Sequence, residues 1–198
     1  MKKLLLAAAL VAASATMALA QSITPIIEVG GGAANFSTKT SVGETTSGMI
    51  GSYRVGGGVE VGFAGDFFVS PELLFVSRGA AEKSSVGSAS TMTHNIEIPI
   101  FVGYRAAFAP NMGVSVEAGP YLAYMIAATG KANVLGVEAS SDKQPVKPFD
   151  FGVGVQANFE YNRFGIGIGT EYGILNVSKT DGVRTNNMNF YGVLSYRF

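Results

Sequence analysis

The last eleven residues, Met188 to Phe198, read MNFYGVLSYRF and constrain the chain more than any other stretch. Met188, Phe190, Gly192, Leu194, Tyr196 and Phe198 fall on one face of an extended segment. Asn189, Tyr191, Val193, Ser195 and Arg197 fall on the other. A period of two alternates side chains between faces, so the segment is expected to be a strand whose faces meet different solvents. The chain ends on an aromatic residue with a second one two positions earlier. An outer face in contact with lipid buries both rings, whereas a soluble chain gains little from a terminal exposed Phe. A strand of this kind requires partners, because no backbone edge can stay open in hydrocarbon.

Seven further segments have the same alternation. The expected strands are Ile23–Phe36, Tyr53–Phe63, Phe67–Arg78, Thr93–Arg105, Gly113–Ala127, Pro148–Phe159 and Phe164–Val177. Thr93–Arg105 alternates most cleanly, with Ile96, Ile98, Ile100, Val102 and Tyr104 opposite Asn95, Glu97, Pro99, Phe101, Gly103 and Arg105. At roughly ten to fourteen residues, each segment is long enough to cross a bilayer when tilted. The connections run long, short, long, short, long, short, long. The expected fold is therefore all-β: an eight-stranded antiparallel up-and-down transmembrane β-barrel with short periplasmic turns and longer extracellular loops. An even strand count puts both termini on the periplasmic side, and the last strand must close on the first. Pro71, Pro99 and Pro120 lie inside these strands, where each removes a ladder hydrogen bond, so local bulges are expected at them.

Composition agrees with this reading. After the N-terminus no uninterrupted apolar run approaches the roughly 20 residues of a membrane helix. The 26 glycines and 13 phenylalanines instead suit short alternating strands. The chain has no cysteine, which excludes disulfides, thiol catalysis and Cys-ligated zinc. Lysine plus arginine equals aspartate plus glutamate, so the balance suggests no nucleic-acid partner. Residues 1–20 are expected to be a cleaved signal peptide, with Lys2 and Lys3, an apolar run from Leu4 to Val11, and Ala18-Leu19-Ala20 as the cleavage site. The remainder, 21–198, is then one exported domain.

The two faces choose between a soluble and a membrane barrel. The apolar face contains almost no ionisable residue. The other face carries a charge cluster: Glu28, Arg54, Glu60, Glu72, Arg78, Glu97, Arg105, Glu117, Asp150, Glu171 and Arg197. Eight strands enclose space only for side chains, and this many charges do not suit a dry core. They suit a polar lumen inside a barrel whose apolar face looks out to lipid. Gly30, Gly32, Gly56, Gly58, Gly152, Gly154, Gly165, Gly167, Gly169 and Gly173 lie on the same inward face, leaving room for the longer side chains. A phosphate-binding loop would need a helix after such glycines, and no helical pattern follows.

Several motifs in order resemble the small outer-membrane β-barrel family of the Bacteroidetes known as PorT-like or porin-family proteins. They are Ser70-Pro71-Glu72-Leu73-Leu74-Phe75 with Gly79, Ile96-Glu97-Ile98-Pro99-Ile100, and Glu117-Ala118-Gly119-Pro120-Tyr121-Leu122. Phe149-Asp150-Phe151-Gly152, Glu171-Tyr172-Gly173 and Tyr196-Arg197-Phe198 complete the series. The resemblance spans the whole chain after residue 20. It implies an eight-stranded barrel in the cell outer membrane of a Gram-negative bacterium. It implies little about activity, since fold does not carry function.

Three functions are weighed. The first is a non-enzymatic integral barrel with a structural, adhesive or secretion-accessory role, its specificity residing in the loops. The second is a narrow, weakly cation-preferring pore, suggested by seven inward acids against four bases, although such charges more often form a structural plug in so small a barrel. The third is a lipid-modifying enzyme. That chemistry needs a base and a nucleophile, yet His94 is the only histidine, faces outward with Ile96 and lacks a serine two positions on. No catalytic, cofactor or metal site is expected. The expected partners are outer-membrane lipid, surface or secretion partners at the loops, and the barrel-assembly machinery. Tyr196 and Phe198 resemble the aromatic C-terminal signal that this machinery reads.

Overall fold

Ten strands form one antiparallel sheet that closes on itself in a computed structural model describing residues 22–41, 43–63, 65–84, 87–134, 137–141 and 146–198. The expected leader, 1–20, lies outside the described residues. The strands are β1 (Ser22–Thr40), β2 (Gly43–Thr46), β3 (Ile50–Gly62), β4 (Phe67–Ser84), β5 (Gly87–Ala109), β6 (Met112–Val134), β7 (Val137–Ser141), β8 (Phe149–Tyr161), β9 (Phe164–Gly173) and β10 (Arg184–Arg197). Eight of them make the wall; β2 and β7 are short pieces that pair with the far ends of β1 and β6. Closure comes from β1 and β10, which pair continuously from Ile26↔Arg197 to Lys39↔Arg184.

Alternation sets the register. Ile96, Ile98, Ile100, Val102 and Tyr104 on β5 are exposed, while Asn95, Glu97, Pro99, Phe101 and Gly103 between them are buried. On β9 Ile166 and Ile168 stand outward, with Ile168 73% exposed. On β10 the outward face runs Phe198, Tyr196, Leu194, Gly192, Phe190, Met188. Ten residues at about 3.3 Å each, tilted by about 40°, rise about 25 Å, the height of an apolar membrane band. Aromatic rings gather toward the ends of this band. Tyr196 lies 5.0 Å from Phe164 and 5.1 Å from Phe198 between ring centroids, and Phe67 lies 5.1 Å from Tyr104.

The short-turn end is tight. Asn162, with φ of 53°, and Arg163 connect β8 to β9, the positive φ at Asn suiting a two-residue hairpin loop. The opposite end is taller than the sequence suggests. The expected loop Gly79–Met92 is mostly strand, since β4 and β5 stay paired to Ser84↔Gly87. The loop expected over Ala128–Lys147 contains the end of β6 and β7, paired from Gly130↔Ser141 to Val134↔Val137.

The prolines do not sit at bulges. Recorded pairing lapses beside each of them, between Gly58↔Glu72 and Val61↔Val69, between Pro71↔Ile100 and Leu74↔Glu97, and between Pro99↔Tyr121 and Val102↔Ala118. It then resumes in the same register. A missing N–H removes one link and does not require an extra residue. The bulges lie elsewhere on the β5–β6 pair, between His94 and Asn95 and between Ala107 and Ala109. Val61, expected outward, is buried at 5% exposure.

Candidate functional site

The interior holds the charge cluster in layers. In the central layer Arg54 Nε donates to Glu28 Oε1 at 2.7 Å and Arg54 Nη1 to Glu171 Oε1 at 2.8 Å. Arg78 Nη2 donates to Glu171 Oε2 at 2.6 Å and also bonds Glu97. One carboxylate therefore bridges two guanidiniums, and the chain of charges reads Glu28, Arg54, Glu171, Arg78, Glu97. All five are buried. Two rings complete the layer: the Arg54 guanidinium stands 3.8 Å from the centre of Tyr191 and that of Arg78 4.5 Å from Tyr121. A planar cation between a carboxylate and an aromatic face recovers part of its lost hydration. Asn189 donates to Glu171 at 3.4 Å and accepts from Ser52 Oγ at 2.9 Å.

Above it, toward the hairpin end, Asp150 accepts from Tyr121 Oη at 3.2 Å and from Asn187 Nδ2 at 2.7 Å. Below, at the short-turn end, Arg105 bridges Glu60 and Glu160, with Nη1 to Glu60 Oε1 and Nε to Glu160 Oε2 both at 2.7 Å. Arg197 holds Glu160 in a fork at 2.7 and 2.8 Å. This layer is wetter, with the Arg105 side chain 27% exposed. Between the layers Glu117 accepts from Gln156 at 3.1 Å and Asn158 at 3.0 Å and has no cation among the described residues. Glu72 is also without a recorded cation partner among them, and its Oε2 has no hydrogen bond there.

Glu160 was not expected in this cluster. The segment Glu160-Tyr161-Asn162-Arg163 reads as a turn, and a polar residue at the end of a strand looks the same whether it faces a lumen or solvent. Its parity with Asp150, Gln156 and Asn158 was the available signal.

Glycine makes room for the rings that fill the remaining space. A Cβ at Gly103 would meet Phe68, one at Gly152 would meet Tyr121 and one at Gly169 would meet Tyr191, each closer than contact allows. A Cβ at Gly154 would lie 2.7 Å from Phe101 Cζ. With Leu74 and Val76 also buried on β4, side chains pack the lumen around the central charge layer.

The residues weighed for catalysis stand apart from this interior. His94 Nδ1 is 2.8 Å from Tyr53 Oη, and its ring stacks on Phe75 at 6.0 Å between centroids. These groups form an outward aromatic patch. At the C-terminus, Phe198 N donates to Pro25 O at 3.1 Å, which ties the last residue to β1. Among the described residues no group of three or more His, Asp or Glu side chains is arranged to hold a metal ion.

Residues 20–179 match the family described as outer membrane protein beta-barrel domain. Among solved structures, the chain is similar to the outer membrane protein OprG of Pseudomonas aeruginosa. The TM-score is 0.51 and the identity 8%, with 90% of this chain and 97% of that one covered. It is also similar to the neisserial surface protein A, NspA, at TM-score 0.48 and 12% identity, covering 90% of this chain and 100% of that one. At such identities the likeness concerns the fold. No curated protein is significantly similar to the chain.

Proposed function

We propose, from the premise that this chain belongs to the outer membrane protein beta-barrel domain family and is an outer-membrane β-barrel, that its role is non-enzymatic: structural, adhesive or accessory to secretion. The observation that carries this reading is the filled lumen. Arg54 and Arg78 are each 2% exposed and are locked between carboxylates and rings. Moving either aside to open a path would break at least two charge-assisted bonds in a confined space, at a cost of several kcal/mol. The working surface is then outside the barrel wall, on the hairpins that prolong β4, β5 and β6. Within the family, the motifs around Pro71, Pro99 and Pro120 favour the PorT-like group. Residues 1–20 act as a cleaved export signal, and Tyr196 and Phe198 as the mark read during insertion.

Planar-bilayer recording of the purified, refolded protein tests the reading. The expected record has no stepwise conductance from −150 to +150 mV, whatever the salt. Regular steps that vanish on boiling the sample would refute it.

A second reading, a narrow pore weakly selective for cations, is favoured by one observation. Glu72 and Glu117 are buried carboxylates with no cation partner among the described residues, and Glu160 adds an eighth acid to four bases inside. A KCl gradient across the same bilayer would give it a cation-signed reversal potential. The lipid-modifying reading gains no support from His94, whose contacts are Tyr53 and Phe75.

A further inference from the structure

The outward faces of the wall change character in the same sequence on neighbouring strands. Along β1 the outward face reads Ile27, Val29, Gly31 and Ala33; Asn35 and Ser37 beyond them are buried, and Lys39 is exposed again. Along β10 it reads Leu194, Gly192, Phe190 and Met188; Asn186 beyond them is buried at 1% exposure, and Arg184 is exposed. Outward Phe149 on β8 is preceded two residues earlier by Lys147. Exposed apolar surface thus gives way, past a short buried polar stretch, to exposed cations on the side of the barrel where β1 closes on β10. A bilayer leaflet likewise passes from acyl chains to charged headgroups.

These cations share one recess of about 320 Å³, lined by Lys39, Lys147, Lys179 and Arg184 with Asp181 as its one acid. Lys39 also holds Glu44 at 3.0 Å. Lys39 and Arg184 are direct partners across the β1–β10 seam. Like charges placed directly opposite on a sheet are unfavourable; Glu44 offsets part of this at Lys39, and an anion between the two cations would offset more. The floor is rigid. Asn176 Oδ1 accepts from Ser178 N at 3.0 Å and Thr185 N at 2.9 Å, and Asn176 Nδ2 donates to Val183 O at 3.1 Å. Lys147 N donates to Val177 O at 2.8 Å and Lys147 Nζ to Asn176 O at 3.4 Å, while Arg184 Nη2 donates to Ile174 O at 3.0 Å. Lys147 and Arg184 are therefore each oriented by a backbone carbonyl before any ligand arrives, which lowers the entropy cost of binding.

We propose that this recess binds a phosphate group of an outer-leaflet glycolipid, whose acyl chains lie against the apolar face of β1, β8, β9 and β10 directly below. The proposal rests on the outer-membrane placement of the chain and is independent of whether the lumen conducts. Position selects lipid over a soluble anion: cations just above an apolar band attract anionic headgroups, and only a lipid also contacts the band.

The test uses the full refolded protein in detergent micelles, with diphosphoryl lipid A as the probe and native mass spectrometry as the readout. Three comparisons are made: fully dephosphorylated lipid A, competing inorganic phosphate, and a sulfated heparin fragment. Wild-type protein is expected to retain diphosphoryl lipid A at least tenfold better than the dephosphorylated form. The variant Lys39→Gln, Lys147→Gln, Arg184→Gln is expected to lose that preference, whereas Lys131→Gln, which removes one cation outside the recess, keeps it. Heat-dependent gel migration checks that each variant is folded. If the triple variant does not fold, the double variant Lys39→Gln, Lys147→Gln is measured in its place, with at least a fivefold loss expected. Equal retention of phosphorylated and dephosphorylated lipid A overturns the proposal, as does an unchanged preference in the folded variant. Inorganic phosphate or heparin binding to the recess as tightly as the lipid overturns the choice of lipid.

Discussion

Glu171→Gln is the substitution on which the account of the lumen depends most. Glu171 lies on β9 with its side chain fully buried and is the only carboxylate in the central layer that holds both Arg54 and Arg78. The amide keeps the volume and can still accept one hydrogen bond, but it removes the charge between two guanidiniums. Cutting one partner from a buried ion pair costs about 3–5 kcal/mol. Arg54 retains Glu28 and Arg78 retains Glu97, so the lower end applies, about 3 kcal/mol, or roughly two decades in the ratio of folded to unfolded protein. Glu28→Gln provides the internal scale. Glu28 holds Arg54 alone, and its loss should cost about half as much. Urea titration of the protein in phospholipid vesicles at pH 7 measures both. Far-ultraviolet circular dichroism is the signal, because the chain has no tryptophan. Similar midpoints for the two variants would refute the bridging role, and a Glu171→Gln midpoint equal to that of the wild type would refute the ion-paired plug itself.

Other outcomes follow from the same geometry. Gly154→Ala should destabilise the barrel by about 1–3 kcal/mol through the Phe101 ring, and Phe101→Leu in the same chain should recover most of the loss in the same titration. Glu160→Gln takes one carboxylate from Arg105 and the nearer one from Arg197, leaving both beside Glu60 in a wetter layer; its cost should be smaller than that of Glu171→Gln and should shrink at about 0.5 M NaCl, where exposed charges are screened. Deleting Phe198 should leave unassembled protein in the periplasm, measured by protease accessibility and heat-dependent migration; normal surface assembly would count against an assembly signal. Replacing His94 with Ala should leave the lipid A mass spectrum of expressing cells unchanged.

Legibility varied with the solvent on each face. Where one face met lipid and the other the lumen, as in Thr93–Arg105, two chemistries alternated and the parity of every residue could be read. Beyond the apolar band both faces meet water. There Ser88, Ala89, Ser90 and Thr91 continue β5 with no contrast between faces, so paired strand resembled loop. The same loss of contrast hid Glu160 in an apparent turn. The ion pairs were not readable either. Parity places Glu171 and Arg54 inside, but their contact spans 117 residues of sequence and depends on barrel tilt and on the glycines that let the rings settle. Nor did alternation reveal the Lys39–Arg184 juxtaposition, which depends on how the two ends of the chain register across the seam.

The unequal strand lengths have a consequence for approach. β5 and β6, at 23 residues each, outrun the membrane band, and β4 follows them, whereas β8, β9 and β10 stop soon after it. From Ile126 to Val134 the wall rises by about a further 20 Å at the usual strand rise and tilt. The mouth is therefore a slope, with a parapet on one flank and a low sill on the other. A large body descending along the membrane normal touches the parapet first, while a molecule diffusing in the leaflet reaches the sill without passing it. The two flanks can therefore serve different visitors without competing for the same space.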